Sequence, residues 1–119
     1  DIADDGDLEA SRQIIRQMYA NREAFLLLLT KSQGSRFENC LDEVVDISEQ
    51  QYRRLCDMVT NATGRPRVDD YMTHWMARIM VDTFVHLFLH ETEERVALKH
   101  VDALTMYLVR GWMGIMTES

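Results

Sequence analysis

Apolar and polar positions recur along most of this chain with the period of an α-helix. The clearest pattern begins at Arg36 and runs to about Thr60, with apolar side chains spaced three or four residues apart and charged side chains opposite them. The predicted buried side comprises Phe37, Leu41, Val44, Val45, Ser48, Tyr52, Leu55, Cys56, Val59 and Ala62. No stretch shows the two-residue alternation of a strand. The pattern therefore predicts an all-α domain.

Four further helices are predicted around this one. A weak pattern covers Leu8–Tyr19, and a leucine-rich run covers Arg22–Ser32, with Asn21 as a possible cap. The sequence NATGRPR is the loop with the strongest helix-breaking residues. Beyond it, residues 68–90 and about Glu93–Thr117 read as two long helices.

A tight joint separates the leucine-rich helix from the long helix that follows. Gly34 suits the left-handed residue that ends a helix, and Ser35 suits the N-cap of the next one. Glu38, three residues after Ser35, completes a capping box. We therefore predict that one or two residues, Gly34 and Ser35, both end one helix and begin another.

The helix over residues 68–90 is apolar around most of its circumference. Only a sector near His74, Arg78, Asp82 and His86 is polar. Such a helix must be covered on two sides, which is more than one small domain usually provides. Met72, Met76 and Met80 recur at every fourth residue, so they either fill the core or line an adaptable apolar pocket.

Charge excludes one class of function for these residues. The net charge is −7, and Asp1, Asp4, Asp5, Asp7 and Glu9 contribute five of the acidic groups. We interpret residues 1–9 as a linker or the end of a preceding helix, and residues 10–119 as one domain. The remaining thirteen basic and fifteen acidic residues do not provide the basic face that binds nucleic acid.

Cysteine usage favours a reducing compartment, and hydropathy bears on membrane association. Cys40 and Cys56 are sixteen residues apart in one predicted helix, about 24 Å at 1.5 Å per residue, which is too far for a disulfide. We expect both to be small buried apolar side chains. No apolar run reaches the length of a membrane span, so no membrane association is expected. Thiols outside a disulfide favour a reducing compartment, and we expect a cytoplasmic location.

The candidate chemistry is sparse. His86 and His90 are four residues apart, on one face of a predicted helix, but a metal site needs further ligands that the spacing does not supply. We therefore predict no metal site, and the plain alternative is that both histidines lie at the polar edge of a packed helix. No catalytic motif, phosphate-binding loop or cofactor signature is present, so neither enzymatic activity nor a cofactor is predicted.

The order of elements resembles the C-terminal domain of TetR-type transcriptional regulators. The resemblance rests on the sequence "LLTKSQGSRFENCLDEVVD" at the joint and on "YLVRGWMGIM" near the end of the last helix, and it extends from about residue 10 to residue 117. It implies a bundle of about five helices whose last two form a four-helix interface in a homodimer. It also implies that a small effector binds between helices, and that DNA is bound only through an N-terminal domain not present in these residues.

The resemblance suggests a function and two groups of residues. The expected function is a ligand-sensing and dimerisation domain of a transcriptional regulator, most simply a repressor that leaves DNA when a small apolar effector binds. The predicted effector pocket comprises Phe37, Leu41, Val44, Met72, Met76 and Met80. The predicted dimer interface comprises Ile79, His86, Leu104, Leu108, Trp112 and Ile115.

Two alternatives stay open at the level of sequence. An all-helical interaction or adaptor domain without a small ligand would show the same periodicity. A helical enzyme or metal protein is a more distant alternative, which a metal bound at His86 and His90 would favour.

The charge distribution gives a first prediction. These 119 residues should show no measurable affinity for duplex DNA at physiological salt, because they lack a basic face and a reading helix. Fluorescence anisotropy with random-sequence duplexes at two salt concentrations would measure this. Tight, salt-sensitive binding would contradict the domain assignment.

Overall fold

The computed structural model describes residues 5–31 and 36–118, which form five helices. These are α1 (Asp5–Ala20), α2 (Arg22–Lys31), α3 (Arg36–Thr63), α4 (Asp70–His90) and α5 (Glu94–Thr117). The described residues contain no strand, which confirms the all-α prediction. Each described boundary lies within three residues of its predicted position. Gly34 and Ser35, the predicted joint, lie outside the described residues.

The loop between α3 and α4 is bounded by two local caps. Gly64 has a φ of 73°, and its N–H donates to the Thr60 carbonyl at 2.9 Å, so a left-handed glycine ends α3. At the start of α4, the Met72 N–H donates to the Asp69 side chain at 2.9 Å. Asp69 therefore acts as the N-cap, satisfying one of the free N–H groups of the first turn.

Asn21 acts on the helix before it. Its side-chain amide donates to the Gln17 carbonyl at 3.1 Å, which satisfies an acceptor at the end of α1. Its own carbonyl accepts from the Phe25 N–H at 3.0 Å. The side chain thus caps the end of α1, whereas the sequence suggested the start of α2.

The chain divides into two compact units, and the division falls within α4. The first unit contains residues 1–31 and 83–119, and the second contains residues 32–82. A cluster of Ile15, Leu87, Ala97 and Val101 forms the core of the first unit, with Tyr19, Phe84, Leu98 and Leu104 packed against it. In the second unit the buried side chains are Val45, Ser48, Cys56, Thr60, Thr73, Met76, Ala77 and Val81.

The buried side of α3 differs in direction from the predicted one. Val45, Ser48 and Cys56 are buried as expected. Val44 and Leu55, however, are 46% and 48% exposed, and Thr60 is buried instead. The buried side of α3 is therefore rotated about the helix axis relative to the predicted apolar side. Some apolar side chains, such as Val44 and Leu55, consequently lie outside the core of this unit.

Cys56 is a buried thiol, as predicted, whereas the side chain of Cys40 lies outside the described part of the chain. Within the described ranges, no helix combines the length and apolar character needed to cross a bilayer.

The cap at Gly64 gives a second prediction. Replacing Gly64 with Ala should lower the free energy of unfolding by roughly 1–2 kcal/mol, because a Cβ disfavours the left-handed backbone conformation. Urea denaturation followed by far-UV circular dichroism would measure the change. The control Asn61→Gln, at an exposed position of the same helix, should change stability by less than about 0.5 kcal/mol. Equal stability of the Gly64 variant and wild type would exclude a conformational role for this glycine.

Candidate functional site

The predicted effector-pocket residues all belong to the second unit. Met76 is buried at 5% exposure, and Leu41, Met72 and Met80 are half-buried. The three methionines lie on one side of α4, because residues four apart share a helix face. Val44 is exposed, and the side chain of Phe37 lies outside the described residues. The methionine stripe is therefore the part of the predicted pocket that faces the interior of its unit.

A cationic side chain ties α3 to the first turn of α4 within the same unit. Arg53 donates to Asp57 at 3.0 Å and to Asp70 at 2.9 Å, and its side chain is only 18% exposed. Burial opposes the charge, but the hydrogen bonds and charges of Asp57 and Asp70 outweigh it and raise the pKa of Arg53 above its ordinary value. Arg67 reinforces the group at 3.4 Å from Asp70. We interpret this cluster as a structural clamp, because its ion pairs join α3 to the first turn of α4.

The clamp borders an open depression of about 480 Å³ on the same unit. Its lining is polar: Asp46, Glu49, Gln50, Arg53, Arg54, Arg67, Asp70 and Thr73. The lining includes both acidic and basic side chains, so it has no single charge that would select an anion or a cation. It does not resemble the apolar pocket expected from the sequence.

The predicted dimer residues of α5 lie on one face of the helix, which we call the α5 seam. Leu104 packs against the core of the first unit, Leu108 is half-buried, and Ile115 is 42% exposed. With Gly111, these positions are spaced four, three and four residues apart, which is the spacing of a coiled-coil seam. A Cβ built on Gly111 would meet no atom within 4 Å. Trp112, the remaining predicted residue of α5, is half-buried beside this seam.

On α4, the predicted dimer residues are Ile79 and His86. Ile79 is half-buried in the second unit, and His86 is exposed in the first. The rings of His86 and His90 stack with a centroid separation of 4.0 Å and an interplanar angle of 30°. The two imidazoles therefore share one helix face, as their spacing predicted. Within the described ranges, no group of three or more potential metal-ligating residues is assembled.

The most connected group in the first unit surrounds Phe88. The fully buried Phe88 ring meets Tyr19 edge-on at 5.1 Å and Phe25 at 6.0 Å. The Arg22 guanidinium lies over the Tyr19 and Phe88 rings at 5.4 and 5.3 Å. The Tyr19 hydroxyl donates to the Glu91 carbonyl at 2.7 Å. This group joins α1 and α2 to the end of α4.

Sequence reasoning missed both connected groups. The apolar pattern puts Arg53 among the charged side chains on the solvent side of α3. Periodicity alone does not reveal that Asp57 and Asp70 both bind it. Tyr19 and Arg22 flank a helix boundary, where periodicity is weakest. An aromatic and a basic residue on either side of a capping Asn were the available signal, but their partner Glu91 is about seventy positions away in the chain.

Comparison with protein-family models, with curated proteins and with solved structures finds no match to this chain. The resemblance to TetR-type regulators therefore rests on the residues quoted above.

The Tyr19 hydrogen bond gives a third prediction. Tyr19→Phe should lower the free energy of unfolding by roughly 0.5–1.5 kcal/mol, because the Glu91 carbonyl loses its short hydrogen bond. Tyr107→Phe is the matched control, since Tyr107 is 80% exposed and the change should be close to neutral. Urea denaturation at pH 7 would compare the two variants.

The same comparison has a defined pH dependence. Burial raises the pKa of Tyr19, so the neutral hydroxyl is favoured in the folded state. Its contribution is fully present below the unfolded-state pKa of about 10 and is lost as pH rises through the higher folded-state pKa. The stability difference between wild type and Tyr19→Phe should therefore narrow above pH 10. A difference that stays constant to high pH would rule out the hydrogen bond as its cause.

Proposed function

We propose that this chain is the ligand-sensing and dimerisation domain of a TetR-like transcriptional regulator. In this proposal α4 and α5 pair with the same helices of a second copy, and a small apolar effector binds beside the methionine stripe. DNA recognition belongs to a separate N-terminal domain, and effector binding releases the regulator from DNA in the cytoplasm.

The observation that carries the proposal is the α5 seam. Glycine inside a helix costs roughly 0.5–1 kcal/mol relative to Ala, and no neighbour in the described chain requires Gly111 to lack a Cβ. The missing Cβ of Gly111 does, however, allow a second helix to approach closely. Ile115 and Leu108 border this position with apolar surface, and exposed apolar patches usually mark an interface.

The outward side of α4 supports the same contact. Trp75 and Leu89 are 43% and 41% exposed, although this is the most apolar long helix of the chain. Leu89 belongs to the same compact unit as α5, and both helices contribute apolar surface to an isologous four-helix contact in this proposal. Such a contact would bury on the order of 2,000 Å² or more, as obligate homodimers do.

The ligand-sensing part rests on the methionine stripe. Thioether side chains adapt to ligands of different shape, and Met72 and Met80 remain partly accessible beside the buried Met76. Native mass spectrometry of the purified chain would test for a co-purified apolar compound, and Met76→Asp should abolish its retention.

An adaptor domain without a small ligand is the second candidate, and one observation favours it. Val44, Ile47, Leu55 and Met58 leave large apolar side chains exposed along α3. This apolar face of α3 could bind a protein partner by packing into a hydrophobic groove of that partner. Dimerisation without any retained small molecule would favour this candidate over ligand sensing.

The seam gives a fourth prediction. Wild-type protein should sediment as a dimer at micromolar concentration, whereas Leu108→Glu should yield monomer or aggregate, because a buried unpaired carboxylate opposes association. Arg110→Glu is the control on the same helix and should remain dimeric, since Arg110 lies on the exposed opposite side.

A second variant guards against unfolding of the Leu108 variant. Ile115→Glu changes a more exposed seam position, so it should leave the far-UV circular dichroism unchanged and still produce monomer. A monomeric wild-type chain at micromolar concentration would refute the dimer and most of the case for the family.

A further inference from the structure

His86 and His90 are four residues apart on one helix face, the spacing at which two imidazoles can bind one metal ion. The two ring centroids lie 4.0 Å apart, and the planes are tilted by 30°. Because a metal ion lies in the plane of each imidazole that binds it, both rings must rotate out of this stack to direct one nitrogen each at a common ion. Both side chains are exposed, so the surface leaves space for that rotation.

The helix turn that carries both histidines is packed against the core of the first unit on its other side. Leu87 and Phe88, between the two histidines, are 6% and 0% exposed, and Phe88 packs against Tyr19 and Phe25. The backbone of the turn is thereby fixed while both imidazoles stay at the surface. Binding an ion would therefore order the two side chains but little backbone, which limits the free energy lost to ordering.

The electrostatic setting favours a cation. His90 is the last residue of α4, and the C-terminal end of a helix carries a partial negative charge. Among the described residues, neither imidazole makes a hydrogen bond or an ion pair. His74 differs in this respect, because its Nδ1 lies 2.8 Å from a Glu49 carboxylate oxygen.

Two imidazoles complete only half of a tetrahedral site. Structural zinc sites use four ligands, and the described part of this chain assembles no group of three. A two-fold axis supplies the missing pair, because an isologous contact presents the same residues from both copies. His86 already belongs to the predicted dimer face.

The spacing within one chain predicts no complete metal site, but a second copy would supply the missing ligands. We infer that His86 and His90 bind a divalent transition metal ion of the zinc type, and that two copies of the chain share one ion through four imidazoles. This inference rests on the proposed dimer. Imidazole nitrogen suits zinc, copper and nickel, and a shared ion stabilises the dimer over the monomer by mass action.

The test uses Zn²⁺ as the probe, added to the metal-free full chain. Isothermal titration calorimetry should give one ion per two chains, and substituting Co²⁺ should give the visible spectrum of a tetrahedral site. His86→Ala and His90→Ala should each weaken Zn²⁺ binding by about tenfold or more, since even the loss of an outer hydrogen-bond partner costs 10–100-fold at such sites. His100→Ala, at an exposed position of α5, should bind Zn²⁺ like wild type.

Sedimentation with Zn²⁺ and with a chelator separates this inference from the proposed dimer. A dimer that binds no Zn²⁺, or that binds it equally after both histidines are replaced, would overturn the metal site and leave the dimer intact. One ion per chain with an octahedral cobalt spectrum would overturn the shared site. A chain that is monomeric under both conditions would overturn both proposals, whereas a dimer that Zn²⁺ strengthens in the wild type but not in His86→Ala would support the site directly.

Discussion

The apolar surface of α4 is the constraint on which the arrangement of this protein depends. In the N-terminal part of the helix, Met76, Ala77 and Val81 are buried, and in the C-terminal part Leu87 and Phe88 are buried. Each part belongs to a different compact unit. One helix therefore supplies buried residues to both units.

Local interactions fix both ends of this helix. Asp69 caps its start, and Arg53 holds Asp70 in its first turn. At the other end, the Tyr19 hydroxyl donates a hydrogen bond to the carbonyl of Glu91, the residue that follows α4. Fixed helix ends bear on the proposed ligand sensing, since a ligand can shift an equilibrium only between discrete arrangements that differ in their contacts.

What α4 and α5 leave exposed gives the protein its candidate functions. Trp75, Leu89 and Ile115 remain about two-fifths exposed, while Gly111 leaves room beside the seam. The His86–His90 pair lies on the same helix as this surface and would place a metal site at the contact. The shared ion would lie at the dimer contact and depends on the dimer, whereas the effector pocket is a separate proposal at the methionine stripe of α4.

The sequence by itself determined the five helices and their approximate ends. Helix periodicity, a helix-ending glycine such as Gly64 and an N-capping residue such as Asp69 all act over a few residues. It also placed His86 and His90 on one face, since that follows from helix geometry alone. Only the tertiary structure decided which apolar residues are buried, as Val44 and Val45 illustrate. It alone brought Arg53 to Asp70 and Tyr19 to Glu91, because contacts between residues distant in the chain depend on packing, which no local pattern encodes.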